Sequence, residues 1–380
     1  MSETAEQSVN DPGPQSGRDP LALIRNIGGR GVRQREATIF VVAVLLLVYF
    51  ATKSSAFLGE SNITNLLSGV AAPIIIIAIG EVLLLICGEI DLSVGFVFVF
   101  APFLMHYLID FYGVPVIPAI VVALLLGLVV GWVNGFLTVT LGLPSFITTL
   151  GTGLILLGLM LTTSNAEPVN VPVAAESIGK FFGSQNGGYA WSAFIWAVIL
   201  VAIFHVVLTR TRWGLHTVAT GGNLLGARES GISIARIKYG NFMICALMGA
   251  IVGLQTAFYD NTIDPSAGGY AAMFLGVTAA VIGGTAMLGG SGTIIGAFLG
   301  AIVLATLTDG FLITGVSANP LNIFVGGAVL IAMIANVQLA RRQAAGRARC
   351  PQVSQPLAPP PRRRTATSCG WSTSASGSAR

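Results

Sequence analysis

The feature that most constrains this chain is a series of apolar runs, each about as long as a bilayer is thick. A membrane-spanning helix needs about 20 predominantly apolar residues, and runs of that kind recur between residues 37 and 340. The 380 residues are 54% hydrophobic and 9% charged, whereas a soluble domain carries about 25% charged residues. The sequence therefore predicts an all-α fold, a polytopic membrane helix bundle.

The apolar runs predict about ten transmembrane helices. Inside a hydrocarbon layer each backbone N–H and C=O group must be paired within the protein, and a helix does this within one segment. The predicted spans are 37–52, 63–87, 93–112, 114–140, 144–163, 191–208, 241–258, 271–288, 293–309 and 321–340.

Lysine and arginine are divided unevenly between the connecting segments predicted on the two sides of the membrane. With the N-terminus inside, 5 lie in residues 1–36, 5 in the loop 209–240 and 8 after residue 340, and only Lys53 and Lys180 fall on the outer side. Cytoplasmic segments close to membrane spans carry the excess of positive charge. Both termini are therefore predicted to be cytoplasmic.

Composition divides the chain into three regions. Residues 1–36 are predicted to be a disordered, basic cytoplasmic tail, and residues 37–342 form the transmembrane domain. Residues 343–380 are rich in Pro, Arg, Ser and Ala and could not bury a core, so they are predicted to be disordered. The outer loop 164–190 is long for a connection, and its residues 173–182 predict a short amphipathic helix at the surface.

Carboxylates in and beside the second predicted span are candidates for a transport path. Glu81 lies in an otherwise apolar run, where a charged side chain usually faces a bundle interior or a wet cavity. Glu89 lies eight residues later and shares a face with Glu81 if the helix continues through Gly88. Asp91 or Ser93 suits the N-cap of the next helix. The alternatives to a polar path are an interhelical hydrogen bond for Glu81 and a solvated turn for Glu89 and Asp91.

The cytoplasmic loop 209–240 contains a second pattern of interest. Asn223 is a good N-cap, eight residues without proline follow it, and Gly231 suits a C-terminal cap. These residues predict a helix of two turns, which is too short to be stable alone. Such a helix docks on its own bundle or on a partner, and the alternative is a plain linker.

Residues for catalysis, metal binding or nucleotide binding form no recognisable pattern, so we predict no catalytic residue, no metal and no cofactor on this chain. No histidine has metal-ligand spacing to another histidine or to a cysteine. No Gly-x-x-x-x-Gly-Lys-Ser/Thr sequence occurs. The residues considered were His106, His205, His216, Cys87, Cys245, Cys350 and Cys369.

Three ordered segments resemble those of a known family. Residues 88–95, Gly-Glu-Ile-Asp-Leu-Ser-Val-Gly, resemble the Gly-Gly-Ile-Asp-Leu-Ser-Val-Gly signature of permease subunits of the ribose/xylose class of bacterial ABC sugar importers. The loop 221–232 is similar to that family's ATPase-contacting coupling helix, and residues 143–152 to a third characteristic stretch. The resemblance covers roughly residues 40–342. Glu89 replaces the commoner glycine and Glu81 an uncharged polar residue, which favours the xylose-type branch and a pentose.

The resemblance implies a multi-pass permease of the bacterial inner (plasma) membrane that moves a monosaccharide by alternating access. It implies two cytoplasmic ABC ATPase subunits that bind the ATP, an extracytoplasmic sugar-binding protein, and a second permease copy, identical or related. Neither an enzymatic activity nor a nucleic-acid partner is implied for this chain. The implied ATPase contact is Asn223, Ala227, Arg228, Ser230 and Gly231. The implied transport-path and signature residues are Glu81, Glu89, Asp91, Ser93 and Phe146.

Other classes of membrane protein remain open at this point. An ion-coupled secondary transporter would also explain carboxylates inside the membrane and glycine-broken helices, although it does not require the short cytoplasmic helix. An ABC permease for a branched-chain amino acid or a nucleoside would carry a similar loop. A membrane enzyme would show His, Asp and Cys clustered at one face, and the sequence does not.

Overall fold

The computed structural model describes residues 20–185 and 190–315, with side chains from residue 36 onward, and the isolated helical positions 323, 326, 327, 330, 331, 334 and 338. The chain forms two compact units, Met1–Val337 and Gln338–Arg380. Every element described below belongs to the first unit. The predicted tail 343–380 and most of the predicted span 321–340 lie outside the described residues.

The described part of the chain is helical almost throughout. The helices are α1 Pro20–Lys53, α2 Glu60–Thr64, α3 Ala72–Ile86, α4 Val94–Asp110, α5 Val116–Gly135, α6 Ser145–Ser164, α7 Glu176–Phe182, α8 Ser192–Arg210, α9 Arg212–Gly222, α10 Leu224–Glu229, α11 Ile234–Asp260, α12 Gly269–Ile282 and α13 Ile294–Ile313. Wider π-helical turns, Asn65–Ala71 and Phe136–Thr140, join α2 to α3 and extend α5.

Seven of these segments are long and apolar enough to cross a membrane, and two further apolar helices, α4 and α12, are shorter. Together they correspond to the nine predicted spans that fall within the described residues. The predicted class, an all-α polytopic membrane bundle, is confirmed.

One predicted boundary is corrected. Residues 20–36 were expected in a disordered tail, but α1 begins at Pro20 and runs without a break to Lys53. The apolar half of α1 supplies a helix nucleus, and extending a helix costs far less than starting one. Proline is also well accommodated at the first position of a helix.

Two antiparallel helical segments form the centre of the bundle. Glu60–Ile86 and Ile234–Asp260 are each 27 residues long, and most residues of each are buried. Their backbones meet where a Cβ atom on Gly80 would lie 2.7 Å from the Cα of Cys245, a close approach typical of small residues between membrane helices. By contrast α5 and α8 expose many apolar side chains and lie at the periphery.

The short helix α4 begins about midway along α11. A Cβ atom on Gly249 of α11 would lie 2.7 Å from the carbonyl oxygen of Val94, and one on Gly253 would lie 1.9 Å from that of Phe98. Only glycine at both positions lets the two backbones pack this closely. The first turn of α4 also touches the first turn of α12, because a Cβ on Gly95 would lie 2.0 Å from the carbonyl oxygen of Gly269.

The outer connections have structure of their own. Strands β1 Val169–Asn170 and β2 Thr262–Ile263 pair antiparallel. The predicted surface helix at 173–182 is confirmed as a 3₁₀ turn, Val173–Ala175, followed by α7. Trp196 of α8 donates its Nε1 hydrogen to the carbonyl oxygen of Phe181 at 3.0 Å, which ties α7 to the bundle.

Candidate functional site

Helix α3 ends in a glycine cap directly before the signature segment. Gly88 has φ +77°, a left-handed conformation that glycine adopts without steric cost. Its N–H donates to Leu85 O at 2.9 Å, and the N–H of Glu89 donates to Leu84 O at 3.0 Å, which is the Schellman pattern. The helix therefore stops between Glu81 and Glu89, and the condition under which the two would share one helix face is not met.

The signature residues Asp91 and Ser93 form a fully buried polar cluster with two helices. The Oδ1 atom of Asp91 accepts hydrogen bonds from the Ser93 backbone N–H at 2.8 Å and from the Ser93 hydroxyl at 2.6 Å. Asn134 of α5 donates through Nδ2 to Ser93 Oγ at 2.8 Å and to Asp91 Oδ1 at 3.3 Å. Thr152 of α6 donates to Asn134 Oδ1 at 2.7 Å. The cluster thus ties the start of α4 to α5 and α6.

Glu81 lies beside this cluster and is fully buried. Its carboxyl group is close enough to Asp91 for the two to interact electrostatically, and the thiol of Cys245 lies 3.6 Å from Oε1. The second oxygen, Oε2, has no hydrogen-bond partner among the described residues. A buried carboxyl group with an unpaired oxygen is costly to retain for stability alone.

Glu89 forms an ion pair with Lys238 near the start of α11. The two side chains are mostly buried, with 13% and 18% of their surface exposed. The pair joins the signature segment to the helix that follows the cytoplasmic loop.

The predicted short helix in that loop is confirmed as α10, with both predicted caps. Asn223 Oδ1 accepts from the N–H of Gly226 at 2.9 Å. At the other end Gly231 has φ +78°, its N–H donates to Arg228 O at 3.0 Å, and the N–H of Ile232 donates to Ala227 O at 3.0 Å. These bonds again form a Schellman motif, so α10 is fixed at both ends.

The exposed surface of α10 is apolar at its start and carries one cation and one anion, Arg228 and Glu229, at its end. Leu224 and Leu225 expose 53% and 67% of their surface, and Asn223, Arg228, Ser230 and Gly231 are also exposed. Ala227 is only 4% exposed and packs toward the rest of the chain. Of the five residues proposed for a partner contact, four are therefore available and Ala227 is a support for the helix.

Helix α9 joins α10 to the centre of the bundle through a buried asparagine. Asn241 of α11 accepts from Trp213 Nε1 at 2.9 Å and donates to Leu83 O at 3.2 Å and to Thr217 Oγ1 at 3.3 Å. The same amide lies 3.1 Å from the sulfur of Cys87. One side chain therefore links α9, the end of α3 and α11, and Cys87 and Cys245 are both buried thiols, as small apolar residues usually are.

Several other sequence candidates lie apart from the polar cluster. Phe146, at the start of α6, is 57% exposed, and Phe258 is buried and stacks on Phe182. A carboxylate near the end of a span is usually solvated by water, but Asp309 is only 4% exposed. Its carboxylate accepts from Asn62 Nδ2 at 2.8 Å and Asn65 Nδ2 at 3.3 Å, and these two amides replace the water.

Sequence reasoning missed Asn134 and Lys238, which contact signature residues, Thr152, which contacts Asn134, and Asn241, which contacts the end of α3. An amide inside an otherwise apolar span could have identified Asn134 and Asn241, since such a group needs a hydrogen-bond partner. Thr152 and Lys238 gave no comparable indication. Within the described part of the chain, no group of three or more His, Cys, Asp or Glu side chains could hold a metal ion.

A multi-pass bundle with a buried polar cluster in its centre and an exposed, doubly capped helix on one face has the architecture of a membrane transport subunit. Over residues 62–334 the chain matches the family described as the permease component of branched-chain amino acid transport systems. The chain belongs to this family of transport permeases.

Three relatives show the range of the family. The xylose/arabinose import permease of Sulfolobus acidocaldarius is 35% identical over 80% of this chain and 85% of its own length. A probable ABC transporter permease of Escherichia coli is 31% identical over 81% and 91%. The fructose import permease of Rhizobium meliloti is 30% identical over 78% and 84%. No solved structure matches the chain.

These comparisons confirm the predicted class of transport protein. The chain is a multi-pass subunit of the cell membrane, and it is a transport permease and not an enzyme. Membership of an importer family further implies that ATPase and substrate-binding subunits work with it.

Proposed function

We propose that this chain is the membrane-spanning permease of an ATP-driven monosaccharide importer, with a pentose such as xylose or arabinose as its substrate. The names of the relatives from Sulfolobus acidocaldarius and Rhizobium meliloti support a sugar over an amino acid. The hydroxyl, amide and carboxyl groups of the Asp91 cluster also suit a neutral substrate that carries many hydroxyl groups.

The observation that carries the proposal is a series of contacts that leads from α10 to the end of α3 and to the signature segment. Two partner ATPases bind and hydrolyse the ATP, and they contact Asn223, Arg228, Ser230 and Gly231 together with the exposed Leu224 and Leu225. Movement of α10 reaches the end of α3 through α9 and Asn241. It reaches the signature segment through the Glu89–Lys238 ion pair. A rigid connection of this kind can convert closure of the ATPase dimer into a change in the side of the membrane to which the transport path is open.

The proposal includes two further partners. A second permease copy completes the central path, and a sugar-binding protein docks on the outer face near α7. Substrate selection then rests mainly on the binding protein, and the permease contributes the path.

The test is uptake of labelled xylose or arabinose into proteoliposomes that contain this chain, with and without its ATPase, binding protein and ATP. Uptake only with all components supports an ABC permease. Uptake by the chain alone that an ionophore abolishes would contradict the proposal. That second outcome would favour an ion-coupled transporter, for which the unpaired Oε2 atom of the buried Glu81 is the specific observation.

A further inference from the structure

Two segments of this chain carry a similar short sequence, identical at four of six positions. Residues 90–95 read Ile-Asp-Leu-Ser-Val-Gly and residues 263–268 read Ile-Asp-Pro-Ser-Ala-Gly. Each follows a central segment of 27 residues and precedes one of the two short apolar helices. The central segments run antiparallel, so the two copies follow opposite ends of this helix pair, as in an inverted repeat, and the short helices they lead into meet at Gly95 and Gly269.

The same two hydrogen bonds also form within each copy. Asp264 Oδ1 accepts from the Ser266 backbone N–H at 2.8 Å and from the Ser266 hydroxyl at 2.8 Å. Asp91 and Ser93 make the same two bonds at 2.8 and 2.6 Å. The turn 263–268 is therefore the outer counterpart of the signature turn.

The surroundings of the two turns differ. Asp91 and Ser93 are buried, whereas Asp264 and Ser266 are exposed. A partly open cavity of about 260 Å³ lies beside Asp264. The lining residues that matter here are Phe98, Pro102, Thr256, Asp260, Thr262 and Asp264. The turn at Asp91 is thus closed to solvent in this conformation, and the turn at Asp264 is open to it.

The lining of this cavity fits a sugar. Asp260 and Asp264 offer carboxylate oxygens, which are strong acceptors for hydroxyl groups, and the Oδ1 atom of Asp260 is held by Gln185 Nε2 at 3.1 Å. The Thr256 hydroxyl is buried and has no hydrogen-bond partner among the described residues. Phe98 and Pro102 supply an apolar wall for the C–H face of a ring. The described lining has no Lys or Arg, so the cavity does not favour an anion.

The floor of the cavity leads toward the buried cluster. Gly253 lines the cavity and packs on Phe98 of α4. Toward the start of α4 lies the contact between Gly95 and Gly269, and Asp91 and Ser93 come directly before it. The two copies of the turn are therefore separated by one tight backbone contact between α4 and α12.

We infer that this cavity is an outer monosaccharide-binding site of the permease, in which Asp264 accepts hydrogen bonds from the sugar hydroxyls. This inference rests on the proposed function and deepens it. The sugar leaves the binding protein, binds beside Asp264, and passes to the Asp91 turn when the contact between α4 and α12 opens. Each turn serves one face of the membrane.

The first test measures transport by Asp264→Asn at saturating sugar-loaded binding protein, so that affinity of the binding protein does not limit the rate. Asparagine keeps the oxygen that Ser266 needs but loses the charge. We expect the maximal uptake rate to fall about tenfold, since a charged acceptor binds hydroxyls more strongly than a neutral one. The matched control is Asp110→Asn, an exposed carboxylate at the outer end of α4 that lies outside the cavity. We expect it to transport like the wild type.

The second test measures occupancy directly. Ala267 lines the cavity, and Ala267→Cys is prepared in a chain in which Cys350 and Cys369 are serine. Increasing xylose should slow its modification by a membrane-impermeant maleimide. Tyr112→Cys, 77% exposed in the connection after α4, should react at the same rate with and without xylose.

The outcomes separate the inference from the proposed function. If the wild-type assembly imports xylose but Asp264→Asn transports normally and Ala267→Cys is not protected, the outer site is refuted and the importer stands. If the complete wild-type assembly imports no monosaccharide, the proposed function fails and the outer site fails with it.

Discussion

Gly221, near the end of α9, packs directly on Ile86, the last residue of α3. A Cβ atom at position 221 would lie 1.6 Å from the Ile86 carbonyl oxygen, and the same oxygen accepts a hydrogen bond from the Gly290 N–H at 2.8 Å. Three backbone segments therefore meet at one carbonyl group. This contact places α10 one short connection away from the helix that carries Glu81.

The Gly221 contact predicts that alanine reduces transport strongly at position 221 and little at position 222. Gly221→Ala should separate α9 from α3 at a cost of about 1–3 kcal/mol, the usual range for overpacking. If this free energy is lost from the coupling between the ATPases and the transport path, uptake drops roughly 5- to 150-fold. The measurement is sugar uptake beside ATP hydrolysis in proteoliposomes. Gly222→Ala is the matched control, because its nearest contact would be 3.8 Å; equal loss in both variants would contradict the assignment.

The exposed charge on α10 predicts a second result. Arg228→Glu should abolish ATP-driven uptake, because reversing a charge at a docking surface places like charges together at a cost of several kcal/mol. Membrane insertion should not change, and ATPase co-purification should fall. Arg236→Glu, another exposed cation in the same loop region, serves as the control. Normal uptake by Arg228→Glu would remove α10 from the ATPase contact.

The ion pair between Glu89 and Lys238 can be tested by exchanging the two charges. Glu89→Lys and Lys238→Glu each leave two like charges mostly buried, and each should reduce uptake strongly. The double variant restores opposite charges and should recover much of the activity, giving a coupling energy within the range of about 0.5–3 kcal/mol seen for contacting residues. Additive losses in the double variant would mean that the pair does not act as a unit.

The buried amide of Asn134 predicts an effect on stability. Asn134→Leu removes the donor to Asp91 and Ser93 and the acceptor for Thr152, and unsatisfied buried groups cost about 1–3 kcal/mol each. The thermal unfolding temperature in detergent should therefore fall. Thr140→Val removes the hydrogen bond between the exposed Thr140 and the partly buried Tyr239, and should change the unfolding temperature little. An unchanged unfolding temperature in Asn134→Leu would show that the cluster is not a structural tie.

The composition of residues 343–380 predicts that they are dispensable. A chain that ends at residue 345 should insert, assemble with its ATPase and transport like the full chain. Loss of assembly on truncation would show that this segment has a function that its composition does not reveal.

Much of this fold follows from periodicity and composition alone. Apolar runs identify the spans because a bilayer requires unbroken helices, and local caps such as Asn223 and Gly231 can be found because they act within a few residues. The partners of the signature segment are different. Asn134 and Lys238 meet Asp91 and Glu89 only after distant helices pack, so no local pattern predicts them. The end of α3 at Gly88 lies between these cases, since a glycine can continue a helix or stop it.

The lengths of α4 and α12 have a consequence for the electrical and chemical insulation of the membrane. Helices of 17 and 14 residues are about 25 and 21 Å long, less than the roughly 30 Å of hydrocarbon in a bilayer. At least one end of each helix therefore lies below the bilayer surface, by about 5–9 Å in total. Insulation of the membrane at that depth depends on how closely the neighbouring backbones pack, and the starts of α4 and α12 touch at Gly95 and Gly269. A side chain larger than hydrogen at either position would separate these two helices and open a route for water and ions.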